Sequence, residues 1–451
     1  MGNTICSYHV IAIGGAVMHN MALELQAHGH QVTGSDDEIF DPAKKRLQAA
    51  GLLPEQYGWF PKKVHQNLDG IILGMHARSD NPELLKAQQL GLPIYSFPEF
   101  VYRHAEHKKR IVIGGSHGKT TSTAMLMHVL KACGHEFDYL VGSQQPGFER
   151  MVKLSDASIM VIEGDEYLTS ALQPVPKFHV YKPHLAMLTG VAWDHVNVFP
   201  TFDNYVAQFE IFLKTLQPDA RWFWYAGDPD LEKLAKNSHY ISQSYCEPLF
   251  SSTANGCTVH IDGKDYQLAI FGRHNLQNAA GVALLAGELG ISAHQFWVAM
   301  QTFSGTAKRL EKIYESEQAL VYRDFAHAPS KVKATVEAVR EQYPNDNLIA
   351  VFELHTYSSL QPDFLPGYRN TLSPANHAFV LYDPHVFELK RMPVPEYGHI
   401  SAQIGQCSEF NNTQDLKHAV QGAWGNNRKN VLLLMSSGNL GGLKPEDFLS
   451  S

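Results

Sequence analysis

Seven consecutive residues, Gly115-Ser116-His117-Gly118-Lys119-Thr120-Thr121, have the make-up of a loop that grips phosphate. A β-branched run, Arg110 to Ile113, leads into them, and a helical pattern from Ser122 to Cys133 follows. Gly115 and Gly118 let backbone N–H groups approach phosphate oxygens with no Cβ in the way. The following helix directs its free N–H groups and the positive end of its dipole at the same anion. Lys119 would neutralise the β- and γ-phosphates, and the Thr120 hydroxyl would hold Mg²⁺. Ile113 stands where the longer form of this motif has its first glycine, so the loop has the shorter form G-[ST]-x-G-K-T-[TS].

Two more apolar runs end on groups that could join this site. Ala157 to Ile162 stops at Glu163, which Gly164-Asp165-Glu166 follows, and His184 to Thr189 leads to Trp193-Asp194-His195. Ligands of open α/β sheets lie beyond the carboxyl ends of the strands. The spacing therefore predicts one cleft that gathers Lys119, Thr120, Glu163, Asp194 and His195 around nucleotide and metal. The plainer alternatives are a solvated strand-end carboxylate at 163 and a structural histidine at 195.

These residues need strands and helices to position them. His9 to Ile13 reads as a buried strand, Gly14-Gly15-Ala16 as a turn into a helix ending at His28-Gly29, and Gln31 to Asp36 as a second strand. That is the layout of a dinucleotide-binding βαβ unit, but Ala12 and Val17 stand at two of its glycine positions, so a nucleotide of another kind or a purely structural unit fits as well. Leu68 to His76 and Leu92 to Ser96 read as strands, with a helix from Asn81 to Leu90, and the charged run Arg103 to Lys109 as the end of a first domain. Trp222 to Tyr225 is a strand, and Gly272 to Ala280 opens a helix of small residues. Further on, Leu320–Asp324, Leu348–Phe352, Ala378–Tyr382 and Val431–Met435 read as strands and Ser330 to Tyr343 as an amphipathic helix. Alternating strands and helices imply α/β domains with mostly parallel sheets.

A chain of 451 residues is too long for one core. Its net charge of −8 argues against a nucleic-acid partner. No apolar run is long enough for a membrane span. The N-terminus, Met1 to Tyr8, has no basic-then-apolar pattern, so no secretory leader is expected, and Cys6 in place of Ser or Thr speaks against myristoylation. Five scattered cysteines with no C-x-x-C suit free thiols in a reducing cytoplasm.

Taken together, the motifs resemble those of the Mur ligase family, the ATP-dependent amide-forming enzymes of peptidoglycan synthesis and recycling. Gly115 to Thr121 looks like the family's phosphate loop, and Glu163-Gly164-Asp165-Glu166 like its E-x-D-E segment, whose first glutamate binds magnesium. Asp194-His195 is similar to a D-H pair whose histidine serves a second metal. Gly272 to Ala279 resembles G-x-H-N-x-x-N-A, which implies adenine binding by His274, Asn275 and Asn278. Arg309 occupies the place of a phosphate-contacting arginine, and Asp324-Phe325-Ala326-His327-Ala328-Pro329 resembles D-Y-A-H-x-P, whose aspartate reaches the nucleotide.

The resemblance implies three domains: an N-terminal Rossmann-like UDP-sugar domain (1–105), a central P-loop ATPase domain (106–312) and a C-terminal Rossmann-like acceptor domain (313–451). It implies ATP and Mg²⁺ as cofactors, with Lys119, His195 and Arg309 catalytic and Thr120, Glu163 and His195 as metal ligands. UDP-sugar binding falls to Gly14, Gly15, Ala16, Ser35, Asp36 and His76, and acceptor binding to His327, His355 and Tyr357. No side chain is expected to form a covalent intermediate, and His195 and His355 are the candidate bases. The N-terminal segments resemble members that take UDP-N-acetylmuramate. One such member adds L-alanine and the other adds L-alanyl-γ-D-glutamyl-meso-diaminopimelate. Glu166-Tyr167, Asp194–Phe199 and Met435–Gly442 resemble the second, which is the expected activity. Phe352–Ser358 is closer to the first, with Thr356 in the place of an arginine. The expected partners are thus UDP-N-acetylmuramate and an amino-acid or peptide acceptor, with no nucleic acid and no membrane, and with the oligomeric state open. The alternatives are another ligase of the same superfamily, an ATP-dependent switch or binding protein, and an inactive ligase fold serving as a scaffold.

Overall fold

The apolar runs of the first hundred residues become a parallel sheet of β1 (Ser7–Ile11), β2 (Gln31–Ser35), β3 (Gly70–Leu73) and β4 (Ile94–Ser96), ordered β2-β1-β3-β4. The computed structural model describes residues 5–425 and 427–449; Met1–Thr4, on which the reading of a leader or myristoylation signal falls in part, lie outside the described residues. Helix α1 (Ala16–Ala27) follows β1, and α2 (Ala43–Ala49) follows β2. Helix α3 (Pro82–Gln89) starts where the Asn81 side chain accepts from the N–H groups of Glu83 and Leu84. The strand order reverses between β1 and β3, which opens a crevice beyond their carboxyl ends.

The charged run Arg103 to Lys109 covers the end of one helix and the start of the next sheet. Residues 97–105 form helix α4 (Phe97–Ala105), capped by the Ser96 hydroxyl, and Lys109 opens the next sheet. Arg110 explains the order: its guanidinium is buried and donates to the carbonyls of Tyr181, Lys182, Ala105, Glu106 and Lys108. Once desolvated, that charge requires these acceptors.

The second sheet contains β5 (Lys109–Gly114), β6 (Asp138–Leu140), β7 (Val152–Lys153), β8 (Ile159–Gly164), β9 (Leu185–Leu188), β10 (Arg221–Tyr225) and β11 (Ile241–Tyr245). Their order is β11-β10-β9-β5-β8-β6-β7, parallel except for β7. Strand β5 is central, and α5 (Lys119–Ala132) leaves its carboxyl end. Burial on both faces accounts for near-continuous runs such as Ile111-Val112-Ile113.

A small antiparallel sheet follows, of β12 (Phe250–Thr253), β13 (Gly256–Ile261) and β14 (Lys264–Leu268). The last sheet comprises β15 (Glu311–Glu315), β16 (Ala319–Asp324), β17 (Asn347–Leu354), β18 (His377–Tyr382), β19 (Ser408–Phe410) and β20 (Asn430–Met435), ordered β15-β16-β20-β17-β18-β19 and parallel except for β15. Alternate residues of β17 feed cores on its two faces: Leu348, Ala350, Phe352 and Leu354 on one, Ile349 and Val351 on the other.

By packing, the chain forms two compact units. One contains residues up to Val191, Val206–Tyr245 and Gly281–Ala293; the other contains Ala192–Tyr205, Cys246–Ala280 and residues from His294 onward. Among the described residues no helix is long and apolar enough to cross a membrane.

Candidate active site

In the first unit, the phosphate-type loop joins β5 to α5. Gly115 has φ +126° and Gly118 φ +76°, conformations that L side chains rarely adopt. A Cβ on Gly115 would lie 2.2 Å from Thr189 Oγ1 and 2.9 Å from Thr189 N, so the cradle also needs glycine for space. The end of β9 pins the loop from outside. Ser116 N–H donates to the Gly190 carbonyl at 2.9 Å, and the Thr189 hydroxyl donates to the carbonyls of Gly114 and His117. His117 packs against Gly190. Sequence reasoning read Thr189 only as a strand end; a hydroxyl followed by glycine was the available signal. Helix α5 begins at Lys119, one turn before the expected Ser122, and buries Thr120 and Thr121.

Lys119 and Thr120 each face a buried carboxylate. Lys119 Nζ lies 2.7 Å from Glu166 Oε2 and donates to the Gly115 carbonyl at 2.7 Å. Burial works against the Lys119 charge, but Glu166, Asp165 and Glu163 outweigh it and hold the ammonium above its usual range. The Thr120 hydroxyl donates to Glu163 Oε1 at 2.8 Å, and Gly142 N–H donates to Oε2 at 2.6 Å. Burial pushes the Glu163 carboxyl up, against the pull of Gly142 N–H and Lys119. Neighbouring ligands of an octahedral Mg²⁺ lie about 2.9 Å apart, given Mg–O bonds of about 2.0–2.1 Å. The Thr120 and Glu163 oxygens have that separation and the right hard-oxygen chemistry, so the donor pair fits the ion.

At the carboxyl edge of the first sheet, Ala12 takes φ +65°, the conformation that a motif glycine would supply. Gly14 N–H donates to Asp36 Oδ2 at 2.7 Å and Asp37 N–H to Oδ1 at 3.0 Å. Desolvation raises the Asp36 carboxyl to about 6. Asp36 thus closes the glycine turn. Gly15 caps α1, and Ala16 is its exposed first residue. Ser35 is buried and its hydroxyl accepts from Lys63 Nζ at 3.2 Å, while His76 is exposed on the turn after β3.

The second unit holds the remaining candidates. Asp194 Oδ1 accepts from His195 N–H at 2.8 Å, and His195 takes φ +54°. Asp194 Oδ2 accepts from Lys331 Nζ at 3.0 Å, with His327 Nε2 at 3.6 Å. Burial works to raise the Asp194 carboxyl, but Lys331, His327 and His195 hold it well below the usual range. Burial and Lys331 push the His327 imidazole down, and its Nδ1 lies 2.9 Å from the Phe325 carbonyl. Lys331 escaped sequence reasoning. Its signal was placement one helical turn after His327, at the start of the helix Pro329–Gln342.

Asp324 is buried; its carboxylate accepts from Leu310 N–H and Ala326 N–H, both at 2.6 Å, and burial pushes its carboxyl up. It fixes the segment that carries Arg309, whose guanidinium lies 4.7 Å from the centre of the Phe325 ring. His274, Asn275 and Asn278 lie in the first turns of the helix Arg273–Gly287. Burial pushes the His274 imidazole down to about 4, and Asn275 Nδ2 donates to the Phe271 carbonyl at 2.9 Å. His355 and Tyr357 leave the end of β17. His355 packs over Gly438, and Tyr357 is exposed. Buried Glu353 ties that loop to the next by accepting from Leu440 N–H at 3.0 Å, Gly441 N–H at 3.2 Å and the Ser436 hydroxyl.

Comparison with known proteins bears on what these clusters serve. Residues 113–286 match the Mur ligase middle domain, and residues 7–109 match the Mur ligase family, catalytic domain. A UDP-N-acetylmuramate–L-alanine ligase of Limosilactobacillus reuteri is 30% identical over 442 residues, spanning 93% of this chain and 91% of that one. Among solved structures, a murein peptide ligase of Psychrobacter arcticus superposes with a TM-score of 0.69 at 22% identity, covering 97% of each chain. A UDP-N-acetylmuramate-alanine ligase of Thermotoga maritima gives 0.71 at 19% identity, covering 96% of each. These two share the three-domain α/β architecture that the family resemblance implies. The chain belongs to the Mur ligase family and is an ATP-dependent, amide-forming ligase of peptidoglycan synthesis.

Proposed function

We propose that the chain joins the lactyl carboxylate of UDP-N-acetylmuramate to the α-amine of L-alanyl-γ-D-glutamyl-meso-diaminopimelate through an acyl phosphate. The observation that carries this reading is the pairing of Lys119 with Glu166 and Thr120 with Glu163 at the carboxyl ends of β5 and β8. A carboxylate is a poor acylating agent, so the acid must first be activated. One of its oxygens attacks the γ-phosphorus of ATP and ADP departs. The acceptor nitrogen then attacks the acyl carbon, the bond to phosphate breaks, and the amine proton passes to a base, for which His195 and His355 are the candidates.

The first step brings two polyanions together, so fixed cations and backbone donors matter more than a covalent enzyme group. In this reading Lys119 exchanges Glu166 for the transferring phosphoryl oxygens, and the N–H groups of residues 115–121 hold the remainder of the triphosphate. Mg²⁺ on Thr120 and Glu163, with a second ion near His195, would draw charge off the phosphoryl group. His274, Asn275 and Asn278 hold adenine, and Arg309 and Asp324 contact the nucleotide. Gly14, Gly15, Ala16, Ser35, Asp36 and His76 bind the UDP-sugar. His327, His355 and Tyr357 bind the acceptor.

The peptide acceptor is favoured by Thr356. The alanyl carboxyl of a peptide is an amide, so it needs no arginine at that position. Free L-alanine is the second reading. The Limosilactobacillus relative's name supports it, as does Lys390, whose ammonium donates to the His355 carbonyl and brings a cation to the same loop. Oxygen tracing tests the activation step. With ¹⁸O in the lactyl carboxylate, the released phosphate carries one ¹⁸O if an acyl phosphate forms, and unlabelled phosphate would rule that intermediate out.

A further inference from the structure

Lys177 occupies a place that no role above accounts for. It is buried at the start of a 3₁₀ turn (Lys177–Val180), and its backbone N–H donates to the Tyr167 carbonyl at 2.9 Å. Its Nζ lies 2.5 Å from Asp165 Oδ2, 5.6 Å from the centre of the Phe97 ring and 5.8 Å from that of Tyr167. Phe97 directly follows β4, at the carboxyl edge of the first sheet. Asp165 directly follows β8, at the carboxyl edge of the second. One ammonium therefore touches the ligand-bearing edges of both sheets, all within the first unit.

We infer that Lys177 recognises the carboxylate of the sugar acid and holds it at the seam between the two sheets. The inference rests on the function proposed above, in which the sugar nucleotide lies on the first sheet and its acid must meet the γ-phosphate on the second. Three features single out a carboxylate as the ligand. The triphosphate already has Lys119 and the glycine loop. The ammonium already holds a carboxylate, that of Asp165, whose side chain is 35% exposed and so can be joined or displaced from solvent. Two ring faces partly desolvate the cation, which strengthens a charge-assisted hydrogen bond relative to one in open water. Asp165 in this account is the resting counter-ion that keeps the Lys177 ammonium aimed before substrate arrives.

Titration calorimetry without ATP, on the full chain, provides the test. UDP-N-acetylmuramate and UDP-N-acetylglucosamine share every group except the lactyl ether and its carboxylate. Wild type is expected to prefer the first. Lys177→Met should lose roughly 10- to 100-fold in affinity for it, the range of a hydrogen bond to a charged group, while affinity for the second is unchanged. Lys177→Gln keeps the stem and a donor toward Asp165 and serves if the methionine variant fails to fold; it should show the same selective loss, and Lys177→Arg should recover part of the preference. A structural brace would behave differently: both ligands would weaken together, or neither would, and either result overturns the inference. A wild type that binds both sugars alike also overturns it. A wild type that binds neither overturns the proposed function itself.

Discussion

Replacing Lys119 with alanine removes one partner of a buried ion pair as well as the cation assigned to the phosphoryl group. The Glu166 side chain is 0% exposed and lies 2.7 Å from Lys119 Nζ, so the variant takes the lysine ammonium away from a buried carboxylate. Orphaning one member of such a pair costs about 3–5 kcal/mol. For a unit of this size that corresponds to a drop in melting temperature of roughly 6–20 °C. Turnover should fall by at least about 10²–10³-fold, as when a preorganised donor to a transition-state charge is lost. The double variant Lys119→Ala/Glu166→Gln separates the two effects. Neutralising Glu166 removes the buried charge that Lys119 balanced, so most of the lost stability returns while activity does not. Differential scanning fluorimetry and ADP release measure the two quantities on the same samples. The reasoning fails if Lys119→Ala melts like wild type, or if the double variant regains turnover.

Three further outcomes follow from the geometry. Gly142→Ala places a Cβ 2.7 Å from Glu163 Oε1, so the carboxylate must shift; the Mg²⁺ concentration needed for half-maximal rate should rise, and an unchanged metal titration would count against Glu163 as a ligand. Lys331→Met leaves Asp194 buried without its nearest cation and should cost about 3–5 kcal/mol, read by urea denaturation; a loss below 1 kcal/mol, the ceiling for an exposed pair, would show that solvent screens the site. His274 titrates at about 4 in the fold against 6.5 for the free side chain. The unfolded chain therefore takes up the proton first, and stability falls as pH drops from 6.5 to about 4, by roughly 2–3 kcal/mol after allowance for partial exposure. His274→Asn should remove that share of the acid limb, and identical pH profiles for variant and wild type would refute the assignment.

Much of the fold was legible because chemistry-bearing residues sit where apolar runs end. Ile111–Ile113, Met160–Ile162 and Leu185–Leu188 are recognisable as buried parallel strands by their continuous hydrophobicity, and Gly115, Glu163 and Thr189 mark their carboxyl ends. The antiparallel sheet of residues 250–268 was missed, although Asn255-Gly256 and Asp262-Gly263 are strong hairpin signals; Asp262 and Gly263 take φ +49° and +72°. Its strands are short and largely polar, so hydrophobic periodicity does not mark them. Helix α4 was obscured by the charges of Arg103 to Lys109, of which His104 and Lys108 meet the buried Asp138 carboxylate, a partner distant in sequence. Ala12 concealed a left-handed turn behind a residue that rarely takes one. Lys177 and Lys331 acquire meaning only through partners that tertiary contact supplies, and periodicity carries no information about those.

Acceptor-dependent ADP release tests the central claim most directly. Purified protein receives ATP, Mg²⁺ and UDP-N-acetylmuramate, then either L-alanine or L-alanyl-γ-D-glutamyl-meso-diaminopimelate. ADP accompanied by an amide-linked UDP-sugar peptide is expected with the tripeptide and not with the free amino acid. ADP with L-alanine alone would contradict the acceptor assignment, and ADP formed at the same rate with no acceptor present would contradict ligation itself.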